Sequence, residues 1–121
     1  MSPTNTTIDT KSKFAFLLPG QGSQSVGMGK ELYANSSAAK LVFEEIDDAL
    51  NQPLSKLIFE GPESELTQTC NAQPAIMAVS LATYKAMEEL LGKKDMPQPT
   101  FVAGHSLGEY TALVAAQSLN Y

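Results

Sequence analysis

Between Thr100 and Tyr110 the sequence reads Thr-Phe-Val-Ala-Gly-His-Ser-Leu-Gly-Glu-Tyr, a short apolar run that breaks into Gly-x-Ser-x-Gly. Thr100 to Ala103 has the β-branched, aromatic and small residues of a buried strand, and Tyr110 to Ala116 reads as a helix. Gly104 and Gly108 flank Ser106 where a strand must turn sharply into that helix, and a side chain at either place would crowd the turn. This is the nucleophile-elbow pattern, which lifts a serine hydroxyl above the end of a sheet and aims the following backbone N–H groups at the same space. A plainer reading has Ser106 capping a helix that begins near Leu107. Capping accounts for the serine but not for the two glycines around it. His105 is not placed to act as the base, because adjacent residues project in different directions. It is expected to be a partly buried packing or hydrogen-bonding residue behind the elbow.

A second apolar run, Phe14 to Leu18, ends at Pro19-Gly20. Apolar on both faces, it suits a central strand of a covered parallel sheet. Gly20 to Ser25 forms a loop, and Met28 to Tyr33 reads as a short helix. From Ser37 to Leu50, the residues Leu41, Val42, Ile46, Ala49 and Leu50 fall on one helical face, with Glu44, Glu45, Asp47 and Asp48 on a solvated one. Leu54 to Phe59 is a brief helix closed by Gly61-Pro62, and Glu63 to Gln68 is another short turn. Asn71 is expected to cap a longer helix with Pro74 in its first turn, and Gly92 stops that helix. Parallel strands need a crossover, so strand, helices, strand, elbow and helix make an α/β layer. Two strands alone do not make a stable doubly covered sheet, so the chain is expected to be part of a larger fold.

Bulk properties narrow the chemistry. The 121 residues are 43% hydrophobic and 17% charged, as in a soluble globular domain. The net charge of −5 gives no reason to expect nucleic acid as a partner. All eight basic residues are lysine, so no bidentate guanidinium is on hand for a carboxylate or phosphate. One cysteine, Cys70, and one histidine exclude an internal disulfide and a Cys or His metal cluster. Cys70 is expected to pack as a small apolar group. Residues 1–13 are polar, without the apolar core of a signal peptide or membrane span, and read as a disordered tail before a domain over 14–121. The expected location is the cytoplasm, with an organelle after transit-peptide removal left open.

Three motifs occur together: Pro19-Gly20-Gln21-Gly22-Ser23-Gln24, Asn71-Ala72-Gln73-Pro74-Ala75 and Gly104-His105-Ser106-Leu107-Gly108-Glu109. In that order they resemble the malonyl-CoA:acyl-carrier-protein transacylases of fatty acid synthesis, from about Phe14 onward. The resemblance implies part of an α/β-hydrolase-like core with a nucleophile elbow, lacking the family's ferredoxin-like small subdomain. It implies that Ser106 takes malonyl from coenzyme A and passes it to the phosphopantetheine thiol of an acyl carrier protein. The thioester of coenzyme A is then substrate, and no bound cofactor or metal is called for. By the same resemblance, the backbone N–H groups of Gln21 and Leu107 form the oxyanion hole, His105 shapes the pocket, and Gln73 lines the cleft or is simply a polar residue near a helix start. The family's base histidine and malonate-binding arginine are absent from these 121 residues. The chain is therefore expected to be the N-terminal portion of such an enzyme and inactive alone, completed by a second chain or by self-association. Two competing readings are an esterase of the α/β-hydrolase class, which shares Gly-x-Ser-x-Gly, and an inert fragment that only associates. Against the esterase stands the loop after the first strand, which is Pro-Gly-Gln-Gly-Ser-Gln rather than His-Gly-Gly-Gly.

Overall fold

The computed structural model describes residues 13–116, so all but Lys13 of the segment read as a tail lies outside the described residues. In chain order the elements are β1 (Ala15–Leu18), α1 (Lys30–Asn35), α2 (Ser37–Leu50), α3 (Leu54–Glu60), α4 (Glu63–Leu66), α5 (Thr69–Leu91), β2 (Phe101–Gly104) and α6 (Leu107–Ala115). The two apolar runs pair in parallel, Ala15 opposite Phe101 through Leu18 opposite Gly104. Thr100 N–H donates to the Phe14 carbonyl at 2.7 Å and His105 N–H to the Leu18 carbonyl at 3.2 Å, which extends the ladder at both ends. Parallel strands cannot be joined by a hairpin. Helices α1 to α5 form the crossover.

The core lies among these helices rather than on the strands. Val42, Phe43 and Ile46 of α2 meet Leu54 and Ile58 of α3, Leu66 of α4, and Ala75, Ala78, Leu81 and Ala82 of α5. Small residues on α5 let α2 approach closely. Tyr33, Phe43 and Phe59 stack in a triangle with centroids 5.1–5.9 Å apart, a tilted or edge-on arrangement that suits the ring quadrupoles.

Several sequence expectations are corrected. The buried stripe of α2 is Ala39, Val42, Phe43 and Ile46, while Leu41, Ala49 and Leu50 are exposed; the helix is rotated to insert Phe43, the bulkiest side chain. Asp47 is not simply solvated, since its carboxylate accepts from the Ser55 N–H at 2.8 Å in the first turn of α3. Helix α5 begins at Thr69, before Asn71, whose side chain instead donates to the Glu65 carbonyl at 2.9 Å. Pro74 is therefore the sixth residue of α5 and lies in its second turn. Cys70 is exposed, since Ala72 is the residue of the first turn of α5 that faces the interior. Gly92 does end α5, at φ 79° with its N–H on the Glu88 carbonyl.

The strands are covered on one face only. Phe16, Leu18 and Val102 point half-buried toward α5 and α6, with Phe16 edge-on to Tyr84 at 5.8 Å. Leu17 and Phe101 on the other face are 78% and 71% exposed. No described helix packs on that second face, as the reading of the chain as part of a larger α/β fold implies.

Candidate active site

Both strands run the same way, so the loops after Leu18 and Gly104 leave from the same end of neighbouring strands. In open α/β sheets that carboxyl end is where ligands bind. Three close backbone approaches lock the loops together there. A Cβ on Gly20 would sit 2.3 Å from the His105 carbonyl oxygen, one on Gly104 1.9 Å from the Gly108 carbonyl, and one on Gly108 2.2 Å from the Leu18 carbonyl oxygen. No side chain fits at these distances. The glycines of the motif are thus required by contact between chains of backbone.

Ser106 sits between β2 and α6 with φ 55° and ψ −113°, a backbone conformation that costs a non-glycine residue roughly 1–3 kcal/mol. The turn is closed by Gly108 N–H on the His105 carbonyl at 2.9 Å and Glu109 N–H on the Ser106 carbonyl at 3.0 Å. Ser106 occupies the cap position of α6, yet its side chain accepts no capping bond and the residue is exposed. The helix-cap reading is thereby set aside. Its hydroxyl stands at the positive end of a nine-residue helix, where negative charge is favoured.

Among the described residues the loop after β1 leaves backbone donors unused, Gln21 N–H among them. Ser23 N–H and hydroxyl both reach the Gly20 carbonyl, at 3.3 and 2.8 Å, and Gly22 N–H reaches Gln24 Oε1 at 2.8 Å. Among the described residues no acceptor meets Gln21 N–H, and none meets Leu107 N–H at the start of α6. The two belong to the two loops that Gly20 and His105 press together.

His105 is exposed rather than partly buried, because its neighbour across the turn is Gly20, which has no side chain to cover it. Its Nδ1 faces that loop, 3.2 Å from where a Gly20 Cβ would stand. Gln73 is half-buried on α5, one turn beyond Thr69 and on the same side of the helix. Among the described residues no hydrogen bond joins it to the elbow. One participant escaped the sequence reading: Thr69, whose hydroxyl accepts from Gln21 Nε2 at 3.0 Å. Forty-eight positions separate the two, and nothing in the local pattern around Thr69 signals the contact.

Acyl chemistry on a serine needs a reachable hydroxyl and donors for the charge that develops. This corner of the sheet holds an exposed serine and unpaired backbone N–H groups on two adjoining loops, in the manner of the nucleophile-elbow α/β proteins. Within that class the chain belongs to the acyl transferase domain family, which it matches over residues 15–121. It is 54% identical over 110 residues to a malonyl CoA-acyl carrier protein transacylase of Bacillus subtilis, covering 91% of this chain and 33% of that protein. Among known structures it resembles an acyl-carrier-protein S-malonyltransferase from Bartonella henselae, at 57% identity and TM-score 0.79, over 87% of this chain and 33% of the other. It also resembles a malonyl-transacylase in complex with a type II polyketide acyl-carrier protein, at 42% identity and TM-score 0.76, over 87% and 33%. The chain spans about a third of the length of the curated relatives it matches. Family membership decides against the esterase reading.

Proposed function

We propose that this chain is the nucleophile-bearing segment of a malonyl-CoA:acyl-carrier-protein transacylase, with Ser106 as nucleophile and the N–H groups of Gln21 and Leu107 as oxyanion donors. The observation that carries the reading is Ser106 itself, held exposed in a costly backbone conformation with its hydroxyl excused from capping. Ser106 Oγ attacks the thioester carbonyl of malonyl-CoA. The negative oxygen of the tetrahedral intermediate is stabilised by the two donors, each typically worth on the order of 100-fold or more in rate. The C–S bond breaks, coenzyme A leaves as the thiol with the serine proton, and a malonyl ester remains. The phosphopantetheine thiol of the carrier protein then attacks the ester and returns a proton to Ser106. Relatives named as transacylases of malonyl-CoA and carrier protein support both substrates. A guanidinium fork for the free carboxylate of malonate is not supplied by these 121 residues, which hold no arginine, and their one histidine, His105, is not placed to be the base that a serine needs.

Mass spectrometry of the chain after incubation with malonyl-CoA, in the presence of a polypeptide corresponding to the remainder of a homologous transacylase, tests the reading. A malonyl adduct on Ser106, absent from Ser106→Ala, is the expected result. An adduct of equal yield in the variant moves the nucleophile elsewhere and overturns the assignment.

A further inference from the structure

We propose that Thr69 is a positioning residue for the oxyanion site, its hydroxyl tethering the Gln21 side chain so that the Gln21 N–H stays beside Ser106; the inference rests on the acyl-transfer reading above. The loop from Pro19 to Gln24 fixes its own shape by the Ser23–Gly20 and Gly22–Gln24 hydrogen bonds. Those bonds are internal to the loop and do not fix where it stands relative to the elbow. Two contacts do. On one side Gly20 lies against the His105 backbone. On the other, Gln21 Nε2 donates to Thr69 Oγ1 at 3.0 Å.

Thr69 is suited to be the fixed end. It is the first residue of α5, and Ala72, Ala75, Ile76 and Ala78 seat the following turns of that helix in the interior. Its β-branched side chain has little rotamer freedom to lose. The tether thus ties the donor loop to a helix whose residues from Ala72 to Ala82 are repeatedly buried. A donor held from both sides needs no reorganisation when charge develops, which is where oxyanion stabilisation gains its strength. The bond is solvent-exposed, so its contribution lies in placement rather than in stability of the fold.

The test compares Thr69→Val, which keeps the shape and removes the acceptor, with Thr69→Ser, which restores it. In the 15N-labelled protein the heteronuclear NOE of the Gln21 amide is expected to fall in Thr69→Val, with that of Leu107 unchanged, and to recover in Thr69→Ser. In the transfer assay, run with a polypeptide corresponding to the remainder of a homologous transacylase added, Thr69→Val is expected to lower kcat about tenfold with KM for malonyl-CoA unchanged, as misplacement of a transition-state contact does, and Thr69→Ser to return it. An unchanged Gln21 NOE in Thr69→Val, or a loss that Thr69→Ser does not repair, overturns the proposal. A wild-type chain that forms no Ser106 ester even when combined with a polypeptide corresponding to the remainder of a homologous transacylase refutes the acyl-transfer reading and with it the catalytic purpose of the tether, while the amide dynamics still report separately whether the tether exists.

Discussion

At the scale of single residues the site is built by what is left out. Gly108 occupies the second position of α6, where alanine ordinarily stabilises a helix by roughly 1 kcal/mol relative to glycine. Here an added Cβ would stand 2.2 Å from the Leu18 carbonyl oxygen and 2.9 Å from that of Pro19, both backbone atoms that cannot swing aside. Forcing extra carbon into a packed place costs about 1–3 kcal/mol, and sometimes more. The clash outweighs the propensity gain, so Gly108→Ala is expected to lower stability in chemical denaturation. It is also expected to reduce Ser106 acylation by more than the lost stability explains, because relieving the clash moves the elbow away from β1. An alanine variant as stable as wild type would contradict the close approach. Gly22 makes the contrast: a Cβ there meets nothing within 4 Å, and only its φ of 106° opposes substitution.

At the scale of elements, the N-terminus of α2 is satisfied from another helix. Ser36 caps it by accepting from the Ala39 N–H at 3.1 Å. Glu89 of α5 accepts from the Ser36 and Ser37 hydroxyls and, at 3.3 Å, from the Ala38 N–H. The Ser36 and Ser37 bonds, followed by that of Ala38, hold the Glu89 carboxyl below its ordinary value of 4.5. A carboxylate with a lowered folded pKa stabilises above its unfolded pKa and loses that contribution as pH falls through the folded value. Wild type is therefore expected to melt above Glu89→Gln at neutral pH, with the gap closing as pH drops below about 4.5. A gap that widens in acid would contradict the assignment. Because the carboxylate is exposed, added salt should shrink the effect. No sequence pattern marks this pairing of Ser36 with Glu89, nor that of Gln21 with Thr69, since both join residues about fifty positions apart. What the sequence does expose is local: the apolar runs become β1 and β2, and the two glycines around Ser106 become the elbow. Asn71 attracts the start of α5 in the sequence because Asn is a good cap, whereas in the structure its side chain donates to the Glu65 carbonyl. The α2 face was misjudged because Leu41 and Phe43 compete for the interior, and only packing against Tyr33 and Phe59 decides between them.

At the scale of the whole molecule, the elbow and the loop after β1 are pressed together at one end of the strand pair, yet one face of that pair stays open. Leu17 and Phe101 are largely exposed there, and Tyr110 and Leu113 of α6 are also exposed, at 61% and 43%. Large apolar patches of this sort are uncommon on soluble monomers. The chemistry is equally partial. Ser106 has an exposed hydroxyl, but the one histidine of the sequence turns its Nδ1 toward the Gly20 loop. Malonate carries a free carboxylate, and lysine offers it only a point charge rather than a planar fork. Losing a triad-type base costs several orders of magnitude, with roughly 10³-fold catalysis over water left to an oxyanion hole and binding. The 121 residues by themselves are therefore expected to transfer malonyl from coenzyme A to carrier protein at a small fraction of an ordinary enzymatic rate. Adding a polypeptide that corresponds to the remainder of a homologous transacylase should restore turnover, and should do so with Ser106 intact but not with Ser106→Ala. Full activity from the 121 residues alone would mean that His105, or a lysine, performs the base role after all, and a pH–rate profile of that activity would distinguish the two by the pKa of the group that must lose its proton.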